Sequence, residues 1–149
     1  MPKYNHLPDD NVRVVVYKPG TREFAIVREA GDAEDAWKLP GGKFESPHED
    51  PAEAALREGR EELGTDKLRI IDRTVLAHQK AQGAVRYIFA AVMDPSDVVL
   101  STDESDSERI VEVRWVSAET IPECDHHGHI QEAEAHAREL VLAAGGAAS

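Results

Sequence analysis

Between Asp50 and Gly64 the chain carries a full set of start and stop signals for one helix, and this stretch constrains the fold more than any other. Asp50 is a good N-cap, Pro51 suits the first helical position, and Glu53 stands third, a capping-box-like start. Gly64 supplies the stop, because glycine takes the left-handed conformation that closes a helix. Inside these bounds Ala52, Leu56, Gly59 and Leu63 recur at the spacing of a buried seam. Glycine costs a helix roughly 1 kcal/mol relative to Ala, so Gly59 predicts a close approach of this helix to a sheet.

Away from that seam, Glu58, Glu61 and Glu62 project from adjacent turns onto one face. Like charges at this spacing destabilise a helix by a few tenths of a kcal/mol per pair. A hard cation would relieve the repulsion, since Mg²⁺ takes oxygen ligands from one or two carboxylates, keeps several waters and accepts substrate phosphate oxygens. Spacing alone favours the plainer alternative, a solvated face on which Arg57 pairs with Glu61 at i, i+4.

The other elements follow from their patterns. Val12 to Tyr17 and Glu23 to Val27 form two apolar runs around the turn signal Lys18-Pro-Gly-Thr21, which predicts a hairpin. A Gly/Asp/Glu/Ala loop leads to Trp37-Lys-Leu39, and Pro40-Gly41-Gly42 is expected to break regular structure. Strands are expected over Leu68 to Leu76, Val85 to Met93 and Ile110 to Val116, with an acidic loop from Asp94 to Glu108. A last helix runs from near Gly128 to Ala143, with Ile130, Ala133, Ala137, Leu140 and Val141 on one side. Hairpins with one helix inserted and another at the end imply a mixed sheet covered by helices.

The 149 residues are expected to form a single domain, with the tail 143–149 frayed. Seventeen Lys and Arg against 29 Asp and Glu give a formal charge of −12, which argues against non-specific attraction to nucleic acid or anionic lipid. A lone cysteine, Cys124, and the lack of any long apolar run suggest a soluble cytoplasmic protein. A homodimer is compatible with the sequence.

The stretch Leu39-Pro-Gly-Gly42, then Glu49, then Arg57-Glu58-Gly59-Arg60-Glu61-Glu62-Leu63-Gly64, resembles the Nudix box, G-x5-E-x7-R-E-U-x-E-E-x-G-U with U apolar. Every charged position and the final glycine of its second half stand at the family's spacing. Three departures accompany the match: six residues rather than five separate Gly42 from Glu49, and Gly59 and Thr65 replace apolar residues. Further along, Glu112-Val-Arg-Trp115-Val-Ser-Ala-Glu119 looks like the family's late strand and short helix.

The resemblance implies an α/β fold, an α/β/α sandwich with a mixed β-sheet, and hydrolysis of the diphosphate linkage of a nucleoside diphosphate derivative with Mg²⁺ or Mn²⁺. It implies Glu58, Glu61 and Glu62 as metal ligands and Arg57 as the residue that fixes the helix carboxylates. Glu61 and Glu62 also stand as catalytic candidates. Gly41 and Gly42 would bring backbone close to the phosphates of a small-molecule nucleotide. Family members place the general base either in the box or on a loop before the late strand, and Glu108 is the candidate on that loop. Its alternative is a solvated member of the run Asp103-Glu-Ser-Asp-Ser-Glu108.

The family's ADP-ribose branch carries a proline about sixteen residues past the box and its diadenosine polyphosphate branch a tyrosine nearby. Lys80-Ala-Gln-Gly-Ala84 carries neither.

Cys124-Asp-His-His-Gly-His129 could ligate a transition metal, but its spacing fits a surface loop or substrate-lining segment better. Trp37, Tyr87, Phe89 and Trp115 read as core, Arg86 and Tyr87 alternate so that one faces a pocket, and Lys38, Lys43 and Arg28 read as phosphate contacts or surface charge. Against the hydrolase stands a non-catalytic nucleotide-binding sensor on the same fold, which a complete set of box carboxylates disfavours. RNA 5′-end processing is disfavoured by the acidic charge.

Overall fold

The structure is a computed structural model that describes residues 3–71, 76–79 and 83–143. Its elements are β1 (Asn11–Tyr17), β2 (Phe24–Glu29), β3 (Gly41–Lys43), α1 (Pro51–Leu63), β4 (Arg69–Ile70), β5 (Leu76–Gln79), β6 (Val85–Val92), β7 (Ile110–Val116) and α2 (His127–Ala143), with a 3₁₀ turn at Pro95–Asp97. The strands form one mixed sheet in the order β4-β6-β1-β2-β7, with β3 beside β1 and β5 beside β6.

β1 and β6 run parallel at its centre, paired from Asn11↔Arg86 to Tyr17↔Val92. A strand covered on both faces loses the apolar/polar alternation of a half-exposed one, which explains the run of valines in β1. Val12, Val14 and Val16 pack with Ala52, Ala55 and Leu63 of α1 on one face. Val15 and Tyr17 pack with Ile130, Ala133, Ala137 and Leu140 of α2 on the other. The α/β/α sandwich expected from the sequence is therefore present, and α2 buries the stripe predicted for it.

The predicted hairpin exists only at its turn. β1 and β2 pair at Tyr17↔Phe24, and the strands then separate as β2 turns to pair with β7. The chain from Lys38 to Lys43 fills the gap: Lys38 bridges Val27, the Val14 amide donates to the Pro40 carbonyl, and β3 runs antiparallel to β1. The expected break at Gly41-Gly42 is thus a short strand, because β1 offers it an unpaired edge.

The single strand expected over Leu68 to Leu76 is two strands in different register. Ile70 lies opposite Ala91 and Leu76 opposite Ile88, so six steps along this edge match three along β6. Residues 144–149 of the expected tail 143–149, and Lys80 to Gln82 of the segment compared with family branches, lie outside the described residues, while Ala143 is the last residue of α2.

Helix α1 has the predicted bounds, and Gly64 closes it in the left-handed conformation, φ 69°, its amide donating to the Arg60 carbonyl at 2.8 Å. Asp50 takes the extended N-cap conformation without a capping bond from its side chain. The buried face is Pro51, Ala52, Ala54, Ala55, Gly59 and Leu63, with Leu56 of the expected seam only half-buried. Gly59 does mark a close approach, but of the Leu68 side chain rather than of sheet backbone: a Cβ there would strike Leu68 Cδ2.

Candidate active site

β3 and the middle of α1 meet beside β1, and their two chemistries are fitted to each other. Gly41 has φ 154°, and a side chain on it would collide with the Val12 carbonyl and Arg13. Its amide donates to Glu62 Oε2 at 2.7 Å. A Cβ on Gly42 would lie 2.7 to 2.9 Å from the Glu58 carboxyl atoms. Gly42 therefore makes room for the Glu58 carboxylate, and Gly41 supplies a donor to Glu62.

Arg57 organises the rest. Its Nε and Nη2 donate to the two carboxylate oxygens of Glu49, both at 3.1 Å, and Nη1 donates to Glu58 Oε1 at 2.9 Å. Nη2 also reaches the Lys43 carbonyl at 3.3 Å, and Glu45 Oε1 lies 3.3 Å from Nε. The i, i+4 partner Glu61 is only a loose neighbour at 3.8 Å and is largely exposed. A bidentate guanidinium-carboxylate pair is among the stronger polar contacts a protein makes, so the extra residue between Gly42 and Glu49 has not displaced Glu49. The loop absorbs it in a turn in which the Glu49 amide donates to the Ser46 carbonyl and the Glu45 amide to Glu49 Oε1.

The amino-terminal segment holds that turn from outside. The His6 amide donates to the Pro47 carbonyl at 2.7 Å, its Nε2 pairs with the Glu49 carbonyl at 2.8 Å, and its ring stacks on Phe44 with centroids 3.6 Å apart.

Burial sets the electrostatics. It pushes Glu62 up to about 8, with the Gly41 amide and Arg13 opposing and Glu58 reinforcing. Glu58 is also raised, again by burial first, against Arg57. Glu49 moves the other way: burial raises it, but the hydrogen bonds from Arg57 and the Glu45 amide outweigh that. A carboxylate held below its ordinary value stabilises the fold above about pH 4.5 and loses that contribution as pH falls through the lowered value. Glu49→Gln should therefore unfold thermally with a shallower loss of melting temperature between pH 6 and 3 than the parent. Parallel curves would show that the Arg57 pair adds nothing to stability.

Glu58, Glu61, Glu62, Arg57, Gly41, Gly42 and Glu108 all line one cleft of about 660 Å³. The acidic loop forms its far wall with Ser101, Asp106, Glu108 and Arg109. Glu108 is exposed there, its amide held by Asp106 Oδ1 at 2.9 Å. All seven residues singled out in the sequence are thus brought together around one space. Among the described residues no group of three or more His, Cys, Asp or Glu converges as a metal cage, since Glu58 is turned to Arg57 and Glu62 to the Gly41 amide.

The Cys124 to His129 segment is spent on separate contacts. Cys124 Sγ donates to the Trp37 carbonyl, His129 Nδ1 accepts from Arg86, and His127 lies 3.9 Å from Glu123. His126 and His129 line a small cavity.

A family model described as NUDIX domain matches residues 7–140, nearly the whole described chain, with the box at the junction of β3 and α1. The chain belongs to the NUDIX family.

Its NUDIX relatives include the RNA pyrophosphohydrolase of Nitratiruptor sp., 42% identical over 64 residues. That match covers 41% of this chain and 40% of the relative, so the chain matches well under half of that protein's length. Among solved structures, a C. elegans Ap4A hydrolase binary complex superimposes with a TM-score of 0.66 at 21% identity, covering 90% of this chain and 99% of that one. A NUDIX hydrolase of Listeria monocytogenes gives 0.60 at 23% identity over 94% and 98%. The E. coli dihydroneopterin triphosphate pyrophosphohydrolase gives 0.58 at 18% identity over 90% and 97%. At such identities the likeness is one of fold. Among the described residues no helix is long and apolar enough to cross a membrane.

Sequence reasoning left Arg13 and Glu49 out of this NUDIX site. Arg13 lies in the cleft, donates Nη1 to the Leu39 carbonyl at 3.0 Å and stands in the field of Glu62, Glu58 and Glu29. Its signal was visible: one arginine inside the run Val12-Arg-Val-Val-Val16, where a buried strand has no use for a charge without a partner. Of the basic residues with two readings, Lys38 and Lys43 line the cleft. Arg28 pairs with Glu112 at 3.3 Å.

Proposed function

We propose that this chain is a diphosphohydrolase that cleaves the diphosphate linkage of a small nucleoside diphosphate derivative with the help of Mg²⁺ or Mn²⁺. The observation that carries this reading is the single cleft in which Glu58, Glu61 and Glu62 face Glu108 across a space large enough for a nucleotide. The names of the relatives, hydrolases of Ap4A, of RNA 5′ pyrophosphate and of dihydroneopterin triphosphate, share the phosphoanhydride bond and support the reaction class.

The donor set suits a hard cation. Three carboxylates and no sulfur or imidazole stand on adjacent turns, and glycine at 42 leaves the Glu58 carboxylate the room that a Cβ would take. Glu58, Glu61 and Glu62 would hold the ion. When bound, it would lower the pKa of a coordinated water and offset charge on the transition state. Arg57 keeps Glu58 and Glu49 in place, the Gly41 amide orients Glu62, and Arg13 adds positive charge beneath the helix carboxylates. Glu108 takes the proton of the attacking water from the opposite wall. The products are a nucleoside monophosphate and a phosphorylated remainder.

The test is a panel of nucleoside triphosphates, nucleotide sugars and dinucleoside polyphosphates incubated with the purified protein and Mg²⁺, with products identified by mass. Cleavage between two phosphorus atoms is expected. Tight binding of a panel member without turnover would make the chain a nucleotide sensor instead.

A further inference from the structure

Arg13 and Lys38 line two spaces, the carboxylate cleft and a notch of about 20 Å³ against α2. Arg86, His126 and His129 supply the notch's other polar walls, and Leu39 and Ile130 apolar ones. Five nitrogen-bearing side chains and no carboxylate face it, in a chain whose formal charge is −12.

These nitrogens are not equally committed. Lys38 Nζ is paired with Glu29 at 2.9 Å and Asp32 at 3.1 Å. Arg13 gives Nη1 to a carbonyl. Arg86 gives Nη1 to Nδ1 of His129 at 3.1 Å, an acceptor that brings no negative charge. Its Nε is buried and meets no acceptor. β1 and β6 are paired so that Arg86 lies opposite Asn11 and Ile88 opposite Arg13, which puts two guanidinium groups on one face of neighbouring strands. Burial and Arg13 together pull the pKa of Arg86 down, with Glu132 opposing, and His126 is lowered in turn by burial, Arg13, His129 and Lys38, against Asp125. A buried donor without an acceptor, beside a second cation, costs the fold free energy that an arriving anion returns.

We propose that this notch is an anion subsite of the cleft, which takes a phosphoryl oxygen of the substrate other than the group attacked. It selects nucleoside diphosphate derivatives whose far moiety carries a further phosphate over those that end in an uncharged sugar. The proposal rests on the hydrolase reading for its substrate and on the notch alone for its anion. Room on the order of one water molecule admits an oxygen corner and excludes a base or a sugar ring. Arginine presents the planar, multi-donor geometry that such a corner needs.

Two measurements test it. In chelator, calorimetric titration with inorganic pyrophosphate should show binding to the parent protein, weakened at least about tenfold in Arg86→Gln and less in Arg86→Lys, which keeps the charge. With Mg²⁺, Arg86→Gln should raise KM for a nucleoside triphosphate at least about tenfold with kcat within about threefold, and leave KM for a nucleotide sugar unchanged. Equal pyrophosphate affinity in parent and Arg86→Gln would overturn the subsite. An equal KM shift for both substrates would show that the notch does not read the substrate's far phosphate. If Arg86→Gln does not fold, thermal unfolding of the parent with and without pyrophosphate in chelator decides, and no shift refutes the proposal. Retained pyrophosphate binding with no turnover of any substrate defeats the hydrolase reading and leaves the anion site standing.

Discussion

Glu62→Gln is expected to lower turnover by about 10²-fold or more and to reverse its effect on stability when metal is added. The side chain is held in the site by the Gly41 amide, a bond the Gln carbonyl can still accept. The variant therefore removes charge while keeping shape. In chelator that charge is a liability, since burial opposes it and Glu58 stands one turn away, so Glu62→Gln should be more stable than the parent by at least a few tenths of a kcal/mol. A ligand that binds only the folded state adds about 2.7 kcal/mol at a hundred times its dissociation constant. With millimolar Mg²⁺ the parent should gain melting temperature and the variant should gain much less. Activity of the parent should vanish in chelator and return with Mg²⁺ or Mn²⁺. An unchanged melting temperature of the parent on adding metal, together with normal turnover by the variant, would make Glu62 an ordinary helix carboxylate.

Glu108→Gln is expected to lower kcat by about 10² to 10⁴, the usual contribution of a positioned general base. Glu108 lines the same cleft as the helix carboxylates, and the hydrogen bond from its amide to Asp106 Oδ1 holds the backbone that carries it. Glu104, an exposed glutamate of the same loop outside the cleft lining, provides the control. Glu104→Gln should leave kcat within about threefold. A loss under about threefold at Glu108 would return the base role to Glu61, Glu62 or a metal-bound hydroxide.

What was legible in the sequence was local. Helix α1 announced itself because Pro51 and Gly64 act within one turn of where they stand, and Glu58, Glu61 and Glu62 share a face through helix geometry alone. The family motif then gave those carboxylates a meaning that spacing by itself could not. Pairing between distant strands was not legible. Nothing local tells β2 to leave β1 for β7, or places Arg86 on the same face as Arg13, because the first depends on an antiparallel and the second on a parallel pairing, each across more than 70 residues of chain. Glu49 fell between the two cases: the extra loop residue obscured its place, and only the turn at Ser46 shows how the bond to Arg57 survives.

One contact at the far end of α1 ties the two walls of the cleft together. The Val99 amide donates to the Leu63 carbonyl at 2.9 Å, and the Val99 carbonyl lies against Gly64, where a side chain could not fit. The wall that carries Glu108 is therefore moored to the helix that carries the carboxylates, and residues 101–108, exposed but for their backbone ties, are the tether between mooring and base. The far end of that tether is clasped as well: the Ser107 carbonyl accepts from the Gly31 amide at 3.0 Å and the Arg109 carbonyl from the Ala30 amide at 2.9 Å. Glu108 therefore hangs between two clasps on the sheet, and the slack between mooring and base can vary in length while the sheet and both helices stay as they are.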